Sequence, residues 1–229
     1  MTILRKLTLP MTLVAALLLS ACTSDAPGTG LDVQGLRAQL AKRLAKNRGA
    51  AAANPLVALT RAKLAGREGP VMIMYTPKKR TYSTLGLIGE NQDVQTFGTP
   101  TKKSISMSGG VMLATRGLGA DLLAADTQAV RAALKAAKAT TYTRRYRRLD
   151  GTNLLVKESF QCSLTNAGAE TIEIVELRHR VFQLRERCEN ETSAFSNTYW
   201  ASVDNSVIYK SHQWVSRKVG YLDFYLLID

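Results

Sequence analysis

VMIMYTPKKRTYSTLGLIGENQDVQTFGTPTKKSISMSGGVMLATR, residues 71–116, decides the fold. Apolar and polar side chains alternate along it with period two, and turn-forming residues break the run at short intervals. The expected strands are 71–76, 80–88, 93–98, 103–108 and 110–116. Pro77, Gly89-Glu90-Asn91, Gly98 with Pro100, and Gly109-Gly110 separate them. Gaps this short leave no room for a crossover helix, so the strands are expected to pair as an antiparallel meander and not as βαβ units.

Outward from this stretch the pattern changes and then returns. Gly119–Ala124 reads as one helical turn, and Thr127 as the cap of a helix over 128–138, which is rich in alanine. Beyond it, 152–164 places Leu154, Val156, Phe160, Cys162 and Leu164 on one face of a strand. In 171–187 the apolar parity switches between Ile174 and Val175, which calls for a bulge or a turn. Residues 194–203 and 206–216 suit a hairpin across Asp204-Asn205, and Leu222, Phe224, Leu226 and Ile228 form an inward face at the C-terminus. Upstream, a short helix is expected near Pro55–Leu64. The fold class that follows is mainly β (α+β): an antiparallel meander or barrel-like sheet with a few short helices.

The N-terminus tells of export. In MTILRKLTLPMTLVAALLLSAC, Arg5 and Lys6 precede an apolar run from Met11 to Leu19, which is too short to span a bilayer and suits a signal peptide. Leu19-Ser20-Ala21-Cys22 has the form of a lipobox. The thiol of Cys22 takes a diacylglycerol, and small residues before it admit the backbone to the signal peptidase. The expected organisation is therefore a lipoprotein signal peptide over 1–21, a flexible tether over 22–33, a basic amphipathic helix and linker over 34–53, and a β-rich domain over 54–229. Within 34–48, Leu36, Leu40 and Leu44 share one helical stripe. Several acyl chains on one residue anchor a protein firmly. Thr23 stands where an aspartate would mark inner-membrane retention, so the expected place is the outer membrane, on its periplasmic face.

The formal net charge is +13, and +11 once Arg5 and Lys6 are removed. Export excludes nucleic acid as the partner of this charge; phospholipid, lipid A and acidic polysaccharide remain. Cys162 and Cys188, in an oxidising compartment, are expected to form a disulfide. It would close a loop of about 25 residues, a constraint of roughly 3 kcal/mol in the chain-entropy picture. His179 and His212 have no metal-ligand spacing, so no metal site is expected. The covalent diacylglycerol and acyl chain on Cys22 are the only non-protein groups expected, with no other cofactor.

No nucleophile or paired-carboxylate motif marks a catalytic set. The strongest basic cluster is TTYTRRYRR, residues 140–148. On a strand Tyr142, Arg144, Tyr146 and Arg148 share one face. Aromatic rings stack on sugars and guanidinium forks hold carboxylates, so these residues and Arg116 are the candidate anion or polysaccharide contacts. The competing reading is an edge strand kept soluble by its charge. Arg178, His179, Arg180, Arg185 and Arg187 form a second basic group that could lie beside the first. Gly117 and Gly119 flank Leu118 after a strand, where they permit positive φ; Asp121 caps the turn or meets Arg116.

The lipobox, the corner G-V-x-x-x-T-R-G-L-G-x-D-L at 110–122, the F-x-C at 160–162 with Cys188 about 25 residues on, Thr198-Tyr199-Trp200 and Gly220-Tyr221 together resemble the YjbF family of lipoproteins, related to the group 4 capsule lipoprotein B. The resemblance covers roughly residues 56–229. It implies a mostly β fold and a role in exopolysaccharide or capsule production at the outer membrane, and it carries over no catalytic residue. Three functions follow: a non-enzymatic accessory factor that binds polymer or a partner of the secretion machinery, a polysaccharide-modifying enzyme, and a structural adaptor for an outer-membrane complex. A cleft with two unpaired carboxylates would favour the enzyme, and an exposed apolar patch the adaptor.

Overall fold

Alternation of side chains across the backbone builds one sheet from almost the whole domain. The computed structural model describes residues 54–228, residue 151 excepted. Cys22, the tether and the basic helix expected over 34–48 lie outside the described residues. The strands are β1 Val71–Thr76, β2 Thr81–Asn91, β3 Val94–Gly98, β4 Ser104–Ser108, β5 Val111–Arg116, β6 Leu122–Ala125, β7 Thr140–Leu149, β8 Leu155–Ile174, β9 Leu177–Glu189, β10 Ala194–Ser202, β11 Ile208–Ser216 and β12 Gly220–Ile228. Three short helices accompany them: α1 Pro55–Ala58, α2 Arg61–Leu64 and α3 Gln128–Ala136.

Each strand pairs antiparallel with its neighbour in sequence, except β5 with β6, and β12 pairs back onto β1, with Met74 opposite Phe224. The result is a 12-stranded up-and-down sheet whose two ends, β5 and β6, meet at a seam. The glycine corner forms that seam. The Thr115 hydroxyl donates to Asp121 Oδ1 (2.8 Å) and accepts from the Leu122 amide (2.9 Å). Asp121 also accepts the amides of Gly117 and Leu118, as the sequence suggested for a cap. Arg116 does not meet Asp121; its Nη1 reaches the carbonyls of Thr115 and Leu122 instead. Gly117 sits at φ 81°, and a Cβ there would stand 3.3 Å from the Lys102 carbonyl oxygen. Side chains thus supply at the seam the bonds that a ladder supplies elsewhere.

The inward faces carry Met72, Met74, Leu85, Phe97, Ile105 and Met107 from the first half and Phe160, Phe195, Leu222 and Phe224 from the second. Tyr146, Phe160, Phe195 and Trp214 form one aromatic cluster, with the Phe195 and Trp214 rings 4.4 Å apart. Val130, Ala133 and Leu134 of α3 pack on Val111, Leu164, Leu184 and Tyr199. On the outside, Leu64 of α2 packs against Val71, Ile73, Ile174, Val175 and Leu227. Arg61 ties this layer down through the carbonyls of Val175 and Leu227.

A membrane-spanning barrel turns apolar side chains outward and polar ones inward. Here most core side chains are apolar, and Arg145, Arg147, Lys157, Arg185 and Arg187 stand exposed on the outer faces of β7, β8 and β9. Among the described residues no helix is long and apolar enough to cross a membrane.

Several sequence expectations change. Gly119–Ala124 is not a helical turn: its second half begins β6, because Leu122 pairs opposite Arg148 and is fully buried. Thr127 gives α3 no side-chain cap; Asp126 Oδ1 accepts the Gln128 amide instead. The parity switch after Ile174 is a tight turn, with Val175 and Glu176 both at positive φ.

Candidate functional site

The basic cluster of 140–148 forms β7, and its shared face is the inward one. Arg144 is only 1% exposed. Its Nη1 lies 2.9 Å from Oε2 of Glu186, which is 0% exposed on β9. The same carboxylate accepts from Tyr142 Oη (2.9 Å), Asn197 Nδ2 (2.6 Å) and Tyr199 Oη (3.1 Å). Burial pushes the Tyr142 and Tyr199 hydroxyls far up, and the Glu186 charge adds to it. Tyr146 is pushed up to about 12, mainly by burial. Arg148 donates through Nε to Glu158 (2.7 Å), and its guanidinium lies over the rings of Tyr146 and Trp214. The expectation that Tyr142, Arg144, Tyr146 and Arg148 meet polymer is therefore corrected: two of the four are fully buried, and both guanidiniums are held by carboxylates inside the barrel. Arg116 is exposed but serves the seam.

The reason lies on the facing strand. An arginine is buried only where a carboxylate answers its charge and further donors satisfy that carboxylate. Glu186 sits among arginines in RERCE, and its parity with Cys188 puts it inside. Cys162 pairs directly opposite Cys188, and the two form the expected disulfide, with Cα atoms 4.0 Å apart. Glu186 and the two sulfurs lie within 4.8 Å of one another. The sulfurs are bonded to each other, which leaves no thiolate for a metal.

The aromatic and cationic chemistry that the sequence placed on β7 is displayed elsewhere. On the outer side of the sheet's middle strands, Tyr225, Lys210 and Trp200 lie directly opposite one another on β12, β11 and β10. Lys210 Nζ stands 4.3 Å from the Trp200 ring centroid and 5.5 Å from that of Tyr225. Trp200 Nε1 donates to Glu170 (2.7 Å). The next row runs Tyr82, Tyr75, Asp223, His212 across β2, β1, β12 and β11. Tyr75 and Tyr82 stack at 4.4 Å, His212 stacks on Tyr221 at 4.2 Å, and His212 Nδ1 bonds Asp223. Burial raises the Tyr225 hydroxyl to about 12, with Asp223 adding to it. Glu170 is exposed, and the other side chains of these rows are half-buried. They come from five strands over residues 75–225, so no local motif reveals them. The one signal was parity: Tyr221 and Tyr225 alternate with Leu222 and Phe224.

A cleft of about 550 Å³ lies beside α3, between Gln128, Arg131 and Lys135 and the turn Asp204-Asn205-Ser206. Among the described residues that line it, the one carboxylate is Asp204. The hydroxyls of Ser202 and Ser206 both donate to it and hold it below the ordinary carboxylate value. Such a group is an ionised acceptor and not a proton donor. The second basic group divides: Arg185 and Arg187 flank Glu186 on the outer face of β9, while Arg178, His179 and Arg180 lie at the far end of that strand.

The family model described as group 4 capsule polysaccharide lipoprotein gfcB, YjbF, matches residues 35–227. Among solved structures, the hypothetical lipoprotein YmcC from Escherichia coli (K12) shares the fold with a TM-score of 0.60 at 16% identity, over 73% of this chain and 93% of that one. No curated protein sequence matches.

Proposed function

This chain is a member of the YjbF family of group 4 capsule polysaccharide lipoproteins, and from that premise we propose that it is a non-enzymatic accessory factor in the production or export of an extracellular polysaccharide. The observation that carries the proposal is the family match, which takes in the barrel almost from end to end. The lipid sits on Cys22 and holds the domain at the periplasmic face of the outer membrane.

The polymer contact is the outer face of β10, β11, β12, β1 and β2. Trp200 and Tyr75 offer flat rings for sugars to stack on, and Lys210, lying between Trp200 and Tyr225, offers a charge for an acidic sugar. Glu170, Asp223 and His212 add hydrogen-bonding groups at the same surface. The sole carboxylate of the α3 cleft, held ionised by two serines, supports a binding role over an acid–base one.

The test is deletion of the gene with measurement of secreted polysaccharide, complemented by the wild type, Cys22→Ala, and Trp200→Ala with Lys210→Glu. Deletion and Cys22→Ala should both lower secreted polymer. The face variant should reach wild-type abundance and still fail to restore it. Unchanged polymer in the deletion strain overturns the role; full rescue by the face variant moves the contact away from this surface.

A further inference from the structure

The β7–β8 hairpin stands out beyond the barrel. β6 accompanies β7 only as far as Arg148, opposite Leu122, and β9 ends at Glu189, opposite Gln161. The ladder between β7 and β8 continues past both neighbours to Leu149 opposite Leu155. At its tip four apolar side chains face solvent: Leu149 is 50% exposed, Leu154 66%, Leu155 51% and Val156 37%. This arrangement is held and not frayed. Asp150 Oδ1 accepts the amides of Thr152 (2.8 Å) and Leu154 (2.9 Å) and the Thr152 hydroxyl (2.8 Å). The turn therefore fixes the leucines outward.

Directly below the leucines, Arg147 lies opposite Lys157, both exposed. Like charges facing each other across a ladder are unfavourable, and neither makes an ion pair among the described residues, whereas their neighbours Arg145 and Arg148 do. Strand alternation puts the turns after β1, β3 and β11 at the same end of the barrel, and these add exposed Lys78, Lys79, Arg80, Lys102, Arg217 and Lys218. The turn after β9, also at this end, carries Glu191; at the other end the turns after β2, β8 and β10 carry Asp93, Glu176 and Asp204, and the connection from β6 to β7 carries Arg131, Lys135 and Lys138.

An apolar tip with a collar of unpaired cations beneath it matches the layering of an anionic bilayer surface. There, apolar groups bury about 5–10 Å into the boundary of headgroups and acyl chains, and each nearby cation gains on the order of fivefold in binding. A protein groove would cover one face of such a tip, but Leu149 and Leu155 lie on the outer face of the ladder, while Val156, opposite Arg148, lies on the inner one. We propose that the β7–β8 tip is a membrane contact of the folded domain, with Leu149, Leu154 and Leu155 entering the interface of an anionic phospholipid bilayer and Arg147 and Lys157 on its phosphates. The helices α1 and α2, where the chain enters the domain, pack at the opposite end of the barrel, against Val71 and Leu227. The 33 residues from Cys22 to Asn54 reach about 100 Å when extended, so a lipid on Cys22 permits this orientation. The tip contact requires neither that lipid nor the polymer role.

The test uses the mature chain with Cys22→Ser, so that no acyl chain contributes, and co-sedimentation with vesicles of phosphatidylglycerol and phosphatidylethanolamine in equal parts or of phosphatidylcholine alone. The protein should bind the anionic vesicles and weaken as salt rises. Leu149→Ser with Leu154→Ser and Leu155→Ser should lose at least about tenfold in affinity, and Arg147→Glu with Lys157→Glu a similar factor. Both variants replace exposed side chains, so their thermal midpoints should match the parent. A Leu155→Trp variant should shift its emission to the blue on the anionic vesicles only. Failure of the parent to sediment, or equal sedimentation of parent and serine variant, overturns the proposal. A parent that self-associates through the tip, with the serine variant monomeric and vesicle binding unchanged, overturns it in favour of a contact between copies of the chain.

Discussion

The β7–β8 hairpin has two halves that treat the same residue types in opposite ways. Inside the barrel it buries cations: Arg144 against Glu186, and Arg148 between the Tyr146 and Trp214 rings. Towards its tip it exposes leucines and leaves Arg147, still beside β6, and Lys157 without an ion pair among the described residues. One ladder of alternating side chains runs through both, so backbone conformation does not make the difference. Neighbouring strands do. Where β9 and β10 stand alongside, they bring Glu186, Asn197 and Tyr199, and the desolvated guanidinium meets a carboxylate that these side chains hold in place. Where they stop, apolar side chains have nothing to cover them. Which residues are available for binding is thus set by where the adjacent strands end.

The largest effect should come from breaking the inner half. Glu186→Ala leaves the Arg144 charge buried without its partner and Tyr142, Asn197 and Tyr199 without their acceptor. A loss of roughly 3–5 kcal/mol is expected, read from chemical denaturation of the purified domain. Glu186→Gln keeps the volume and an acceptor, so it should lose less than the alanine variant. Equal stability of all three proteins would mean that the network contributes nothing, and the contrast between the halves would collapse.

The disulfide ranks next. Cys162→Ala with Cys188→Ala frees a loop of 26 residues, and the chain-entropy picture sets its cost at about 3 kcal/mol. The difference from wild type should vanish when both are unfolded in reductant. A persistent gap under reducing conditions would assign the loss to the two missing sulfur atoms in the core and not to the cross-link.

Much of this was legible in the sequence, and the failures have a common cause. Period-two runs gave the meander, and the opposed parities of Ile174 and Val175 gave the β8–β9 turn, because both are properties of one short stretch. The spacing of Cys162 and Cys188, in a chain expected to be exported, gave the disulfide. Which side of β7 faces inward was not legible, since Tyr142, Arg144, Tyr146 and Arg148 read as polar until Glu186, some forty residues on, is placed against them. Leu122 and Ala124 looked helical because alanine and leucine favour helices, and pairing with β7 overrode that preference. The outer aromatic face depends on the register of five strands at once, which one-dimensional alternation does not contain.

The smallest effect belongs to the outer half and concerns acid. The Thr152 hydroxyl first, and then the amides of Leu154 and Thr152, hold the Asp150 carboxyl below its ordinary value. A carboxyl whose pKa is lower folded than unfolded stabilises the ionised turn. Its contribution is complete above the unfolded value, about 4, and is lost as pH falls through the lower folded one. Amide exchange at Thr152 and Leu154, corrected for the intrinsic rate at each pH, should therefore quicken below about pH 4, while exchange in β9 and β10 stays slow. Asp150→Asn, which cannot titrate, should show no such step. Asp93 shifts in the same direction through Ser108 and Arg131, but it lies at the other end of the barrel, so a probe at the tip separates the two. If the tip and the barrel core open together in the same acid range, the hairpin is one cooperative unit. The leucines would then be displayed by the fold as a whole and not by a turn that can yield independently.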